Sequence, residues 1–373
     1  MSWKKGTLAD LMGDYVVYRN LDPMHEGIQG LRSAWAKIGL DHYYIPRKTA
    51  PEYAMVLAHY LREAQRVRGV STPLERLLFI GDTLMLDGSA ARNLGRYLQM
   101  RGFIGADRLQ QPAQVEIQGE LMVANRWSAL ADFIAWVDAD HFASDARTAL
   151  LIDLDKTSIG PRGRNDKVID NARVEAIQST MRAALGENLD RAAFRAFYDA
   201  LNQPAYHPFT ADNQDYLAYV CLMVIGGVCE ADELWAALKD GQMTTIQQFV
   251  ALCEARRGSM SPALEAAHEE VRRGIEAEDP TPFKAFRRRE YLETVSRMDV
   301  LPDDAGEEAV LATEIVITAE VASVARHMSQ RGLLVFGISD KPDEASLPTP
   351  EDAARGLRPI HRTVMKIHGQ EVI

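Results

Sequence analysis

The sequence predicts an α/β protein built on a doubly wound parallel sheet, with a long all-helical segment inserted into it. Three observations lead there. Three short, nearly unbroken apolar runs, RLLFIGD (76–82), TALLIDLD (148–155) and LLVFGIS (333–339), read as buried strands, because a strand covered on both faces has no polar side to show. Segments with helical spacing separate them, and strands alternating with helices imply a parallel sheet. Between about 165 and 310, helical periodicity runs almost without a strand candidate.

Along the chain, SAWAKIGL and PEYAMVLAHYLREAQRVRG (51–69) carry helical spacing, and RLLFIGD follows as the first buried strand. DGSAARNLGRYLQM reads as a helix, with Asp87 or Ser89 available as its N-cap. QVEIQGELMVANRW (114–127) alternates as a strand or hairpin, SALADFIAWVDADHF (128–142) returns to helix, and TALLIDLD is the second buried strand. NARVEAIQSTMRAAL, RAAFRAFYDAL, QDYLAYVCLMVI, ELWAAL, IQQFVALCEARR and PALEAAHEEVRRGIEA then form a helical domain, broken by NQPAYHPFT and EDPTP. EIVITAEVASVARHMSQRG reads as a helix with a glycine stop, LLVFGIS as the third strand, DKPDEASLPTPE as a turn-rich segment and PIHRTVMKIHG as a terminal strand. The expected division is 1–160 and 312–373 as a discontinuous α/β core, with 161–311 as a helical insertion.

Composition bounds the function. The 373 residues exceed one ordinary core, and 47% hydrophobic with 25% charged residues suits a soluble globular chain. A formal charge of −11 argues against general affinity for nucleic acid or anionic membrane, which reward clustered lysine and arginine. Cys221, Cys229 and Cys253 are too few and too irregular for a disulfide framework or a cysteine zinc site, so reduced thiols in a cytoplasmic setting are expected. MSWKKGTLADLMGDY lacks the apolar stretch of a signal peptide. YVCLMVIGGVC (219–229) is too short to span a bilayer and reads as a buried helix. FRRRE (286–290) reads as a solvated or acid-paired basic cluster, Met223 and Met243 as helix packing, and His361 and His368, without a carboxylate at useful spacing, as structural.

Ligands of open parallel sheets bind at the carboxyl ends of strands. The three runs end in Gly81-Asp82, in Asp153-Leu154-Asp155 and in Ser339-Asp340, and Asp87 follows Asp82 closely enough to fold back. If the three strands are neighbours, the carboxylates of Asp82, Asp87, Asp153 and Asp155 converge with the Ser339 hydroxyl. Such a cluster is tolerable only around a cation, and hard oxygen ligands select Mg²⁺.

These motifs resemble the haloacid dehalogenase-like (HAD) superfamily. Asp153-Leu154-Asp155-Lys156-Thr157 is similar to its DxDxT signature after an apolar strand, and LLVFGIS to its second motif, ending in Ser339. LLFIGDTLMLDG is similar to its fourth motif, with Asp82 and Asp87 in the longer GDxxxxD form. The third-motif lysine is matched by Lys48 in IPRKTAPEYAMVLAHYL, with Lys341 beside Ser339 as a rival. The family runs motifs one to four, whereas this chain runs three, four, one, two, so the resemblance implies a circularly permuted HAD-type, Rossmann-like core. It further implies Asp153 as nucleophile and Asp155 as general acid and base. Mg²⁺ would be held by Asp153, the Asp155 backbone carbonyl and Asp82, with Asp87 on the ion or its waters. Thr157, Ser339 and Lys48 would hold the phosphoryl group. The inserted helices would be a C1-type cap, GPRGRND (160–166) its hinge or flap, and Arg162 and Arg164 candidates to meet an anionic substrate. The implied activity is Mg²⁺-dependent phosphatase action on a small phosphorylated metabolite. A phosphotransferase and a catalytically weak binding or regulatory protein stay open, as does the oligomeric state.

Overall fold

The computed structural model describes residues 2–140, 142, 145–186 and 189–373. The chain divides into two compact units, Met1–Asn171 with Thr294–Ile373, and Ala172–Glu293.

The first unit is mixed α/β. Its strands are β1 (Lys5–Gly6), β2 (Val16–Val17), β3 (Arg76–Gly81), β4 (Gln99–Gly105), β5 (Val115–Gln118), β6 (Leu121–Ala124), β7 (Thr148–Asp153), β8 (Ile317–Thr318), β9 (Leu334–Ile338) and β10 (Met365–His368). Seven of them form one sheet in the order β2-β9-β7-β3-β4-β6-β5. Every pairing in it is parallel except that of β5 with β6. β1, β10 and β8 form a separate three-stranded sheet.

The three apolar runs of the sequence are β3, β7 and β9, and they lie side by side with β7 in the middle. Leu77, Leu78, Phe79 and Ile80 of β3, and Ala149, Leu150, Leu151 and Ile152 of β7, are all fully buried. Alternate residues face opposite sides of the sheet. Leu77, Phe79, Leu151 and Phe336 join a core with Tyr53, Leu57, Tyr60 and Leu61 of the helix Pro51–Val67. Helices Leu130–Ala139 and Ala319–Gln330 pack on each other and on β4 and β9, outside that core. Helices therefore cover both faces.

The structure departs from the sequence reading in several places. DGSAARNLGRYLQM is not one helix: the helix Asp87–Leu94 ends at Gly95 and β4 begins at Gln99. Pairing with the free edge of β3 overrides the local helical spacing there. In EIVITAEVASVARHMSQRG, Ile317–Thr318 is β8 and the helix begins only at Ala319. β2, two residues long, escaped notice because so short a strand leaves no periodicity to read. QVEIQGELMVANRW, by contrast, is as expected a hairpin, turned at Gly119. The expected edges of the helical insertion, 161 and 311, fall instead at 171/172 and 293/294.

The second unit, by itself, is helical. Phe194, Tyr219, Phe249 and Phe286 are fully buried at its centre. Of the three arginines of FRRRE, Arg287 is the buried one, held 2.6 Å from both Asp215 and Glu290, each with a fully buried side chain. YVCLMVIGGVC begins in the helix Gln214–Ile225. Among the described residues, no helix is long and apolar enough to cross a membrane.

Candidate functional site

Strand register brings the acids to one edge of the sheet. Ile80 of β3 pairs with Ile152 of β7, and Asp153 of β7 pairs with Ile338 of β9. Asp82, Asp153 and Ser339 thus stand at or just past the carboxyl ends of three adjacent parallel strands, where such sheets present their ligand sites.

Neither Asp87 nor Ser89 caps the helix that follows β3, whose N-cap is Leu86. Ser89 Oγ donates to the Met85 carbonyl at 2.5 Å. Asp87 turns back on its own loop, its Oδ2 accepting from Asp82 N at 3.0 Å, Thr83 N at 2.8 Å and Thr83 Oγ1 at 3.0 Å. This close return requires Gly81, where a Cβ would lie 2.5 Å from Asp87 Cβ and Cγ. One carboxylate oxygen from each of Asp82, Asp87 and Asp153 then lies within 4.8 Å of the others.

Two cations of the chain face this cluster. Lys48, only 5% exposed, arrives from the turn before the helix Pro51–Val67 and places Nζ 2.6 Å from both Asp87 Oδ1 and Asp153 Oδ1. Arg162 contacts Asp82 Oδ2 through Nε. Burial opposes the Lys48 charge, but Asp153, Asp87 and Asp340 outweigh it and hold the ammonium well above its ordinary value. Burial would also raise Asp87, yet Lys48 and the loop hydrogen bonds bring it down to about 2. Burial and repulsion from Asp87 push Asp82 up to about 7, with Arg162 opposing. Asp153 rises well above its ordinary value because burial, with Asp87 and Asp82, overcomes Lys48. Three carboxylates at this spacing repel one another strongly.

Asp155 and Thr157 sit in the turn after β7, where Lys156 takes φ 63°. Ser339 Oγ donates to Asp155 Oδ2 at 2.7 Å. Asp155 Oδ1 and Thr157 Oγ1 are buried atoms with no hydrogen-bond partner among the described residues, although buried polar atoms are ordinarily paired. The cluster's donors are all oxygen, which fits a hard divalent cation, and the orphaned oxygens of Asp155 and Thr157 fit a ligand with both donor and acceptor groups. The donor set does not by itself single out Mg²⁺.

Of the two candidate lysines, Lys48 contacts Asp87 and Asp153. Lys341 is also buried, and its backbone N–H donates to Ser339 Oγ at 2.9 Å. Of the two candidate arginines, only Arg162 reaches the cluster. Arg164 is committed elsewhere: Nε to Asp107 at 2.8 Å and Nη2 to Glu320 at 2.9 Å. The segment 160–166, expected as a hinge, is fastened within the sheet unit. Asp107 N donates to Arg162 O at 2.9 Å, and Gly160 N to Val316 O at 2.9 Å. Gly163, at φ 82°, lies against Asp107 so closely that a Cβ would sit 1.9 Å from its carbonyl oxygen.

Sequence reasoning passed over Tyr53. Its buried hydroxyl has no hydrogen-bond partner among the described residues, and burial pushes its ionisation up, in the field of Lys48, Asp340, Asp153 and Asp87. Its available signal was its place in PRKTAPEY, five positions beyond Lys48. His361 and His368 do have carboxylate partners, which lie far away in sequence: Asp14 at 3.0 Å and Glu307 at 2.8 Å.

The site is therefore an acidic centre at the carboxyl edge of a parallel sheet, bridged by one buried lysine and touched by one arginine. Compared with family models, with curated proteins and with solved structures, this chain matches none.

Proposed function

We propose that this chain is a metal-dependent phosphatase of the HAD type with a circularly permuted motif order, acting on a small phosphorylated metabolite. The observation that carries the reading is the convergence of Asp82, Asp87 and Asp153 within 4.8 Å at the ends of adjacent strands. The order β9-β7-β3 also supports it, because strand adjacency assembles the motifs whatever their order in the chain. The helical unit Ala172–Glu293, inserted between the Asp153 and Ser339 strands in sequence, is proposed as the substrate-selecting cap.

Asp153, Asp82 and Asp87 would hold the cation, with the Asp155 backbone carbonyl. A bound Mg²⁺ would neutralise charge developing on the transferred phosphoryl oxygens. Asp153 attacks phosphorus while the ester P–O bond breaks, and Asp155 gives its proton to the departing oxygen. Asp155, now a carboxylate oriented by Ser339, takes a proton from water. That water attacks phosphorus, the bond to Asp153 breaks and phosphate leaves. Lys48 positions and balances Asp153 and Asp87.

The test is release of phosphate from a generic aryl phosphate, comparing the native protein with Asp153→Asn. The reading expects activity that needs Mg²⁺ and is lost in the variant; a native protein that binds Mg²⁺ but releases no phosphate rejects it. A second reading, a binding protein without turnover, is favoured by Arg162 on Asp82, a protein cation standing on a carboxylate assigned to the metal. On that reading Arg162→Ala strengthens Mg²⁺ binding while phosphate release stays absent.

A further inference from the structure

A cavity of about 700 Å³ opens beside the acidic centre, with Asp82 itself in its lining. Ile104, Val115 and Val123 give it apolar walls, and Arg108 and Glu116 also line it. The volume is that of a small-molecule site, and the mixed lining suits an organic body with a polar end.

The wall carrying Arg108 is fixed. Asn125 Oδ1 accepts from Gln114 N at 2.8 Å while Asn125 Nδ2 donates to Pro112 O at 2.8 Å. Arg108 N donates to Asn125 O at 3.1 Å, and Arg126 Nη1 donates to Arg108 O at 2.8 Å. The arginines around this loop differ in one respect. Arg126 is spent on backbone carbonyls, Arg162 on Asp82, and Arg164 on Asp107 and Glu320. The Arg108 guanidinium has no hydrogen bond or ion pair among the described residues. An exposed guanidinium left uncommitted, on a hydrogen-bonded loop residue that lines a cavity, is suited to fork onto an oxyanion.

We propose that this cavity receives the leaving group of the phosphate ester, and that Arg108 binds an anionic group, carboxylate or phosphate, at that group's far end. The proposal rests on the phosphatase reading for the place of the reacting phosphate. Glu116, which also lines the cavity, disfavours unanchored anions, so the gain belongs to ligands anchored at the acidic centre. The substrate class is thus a phosphate ester carrying a second negative charge on a partly apolar body.

The test is calorimetric binding to the full chain with Mg²⁺ present, using phosphonates that cannot turn over: phenylphosphonate, 4-carboxyphenylphosphonate and benzene-1,4-bisphosphonate, with benzoate as the unanchored anion. In the native protein the carboxy compound, the bisphosphonate or both are expected to bind about 5- to 10-fold tighter than phenylphosphonate, the scale of an accessible charge-assisted pair. In Arg108→Ala that ratio falls to about one, and Arg108→Lys keeps part of it. Which of the two gains more tells carboxylate from phosphate. A native ratio of one, a ratio that survives in Arg108→Ala, or benzoate binding as tightly as its phosphonate each overturns the proposal. If no phosphonate binds, this proposal and the phosphatase reading fall together. Selective binding without phosphate release from any ester removes the phosphatase reading and the leaving-group role, and leaves Arg108 as the anion-binding residue.

Discussion

Replacing Lys48 with methionine is the sharpest test of how the acidic centre is held together. The ammonium lies 2.6 Å from an oxygen of Asp87 and an oxygen of Asp153, all three side chains being nearly inaccessible. At an effective dielectric of about 20, each contact represents about 6 kcal/mol of Coulomb attraction, much of it offset by desolvation. What matters is the state left behind: two buried carboxylates without their counter-charge, a loss of about 3–5 kcal/mol. For a unit of this size that corresponds to a fall in melting temperature of about 6–20 °C. The assay is thermal unfolding in chelator, native against Lys48→Met. Added Mg²⁺ is expected to recover part of the loss, since the ion supplies the missing charge and binds only the folded chain. Asp153→Asn, combined with Lys48→Met, is expected to recover part of it without metal, because one buried charge is gone. A Lys48→Met protein as stable as the native one in chelator refutes the reasoning.

Other substitutions probe the frame around the site. Arg287→Ala removes Arg287 from Asp215 and Glu290, both fully buried, leaving Arg173 on Glu290 at 3.1 Å, and is expected to destabilise the helical unit by about 3 kcal/mol, read by denaturant unfolding. Gly163→Ala forces a Cβ onto the Asp107 carbonyl at a positive φ, at a cost of at least about 2 kcal/mol; a normal unfolding midpoint would show that the loop yields easily. His361 ionises below its ordinary 6.5 because burial disfavours the imidazolium, with Asp14 opposing. The folded state therefore binds fewer protons than the unfolded one, so this contribution is complete above 6.5 and is lost as pH falls from there toward the folded value. Denaturation between about pH 8 and 5 should show that decline in the native protein and a flatter one in His361→Gln; equal slopes would exclude His361 as its source.

How far the chain could be read depended on whether an interaction is local. Asp82, Asp153, Asp155 and Ser339 were found because each directly follows an apolar run, and a fully buried parallel strand cannot disguise itself. Lys48 was found through its helix context, but its 2.6 Å contacts with Asp87 and Asp153, 39 and 105 positions away, are visible only in the fold. Arg162 and Arg164, two residues apart, looked equivalent. One reaches Asp82, and the other is taken by Asp107 and by Glu320, 156 positions away. The same distance hid the partner of His361, since Asp14 lies 347 residues earlier. β4 was missed because its neighbour across the sheet, not its own period, makes it a strand.

The sequence by itself determined that the runs of β3, β7 and β9 are buried strands, that a long helical segment lies between β7 and β9, and that acids stand at strand ends, because burial and periodicity are written in consecutive residues. Tertiary structure alone decided that β9, β7 and β3 are neighbours. That adjacency brings Asp82 and Asp153 within 4.8 Å of Asp87, sets Lys48 on Asp87 and Asp153, and leaves Arg164 on Asp107 and Glu320. Charges act across space, and only the fold says which ones meet.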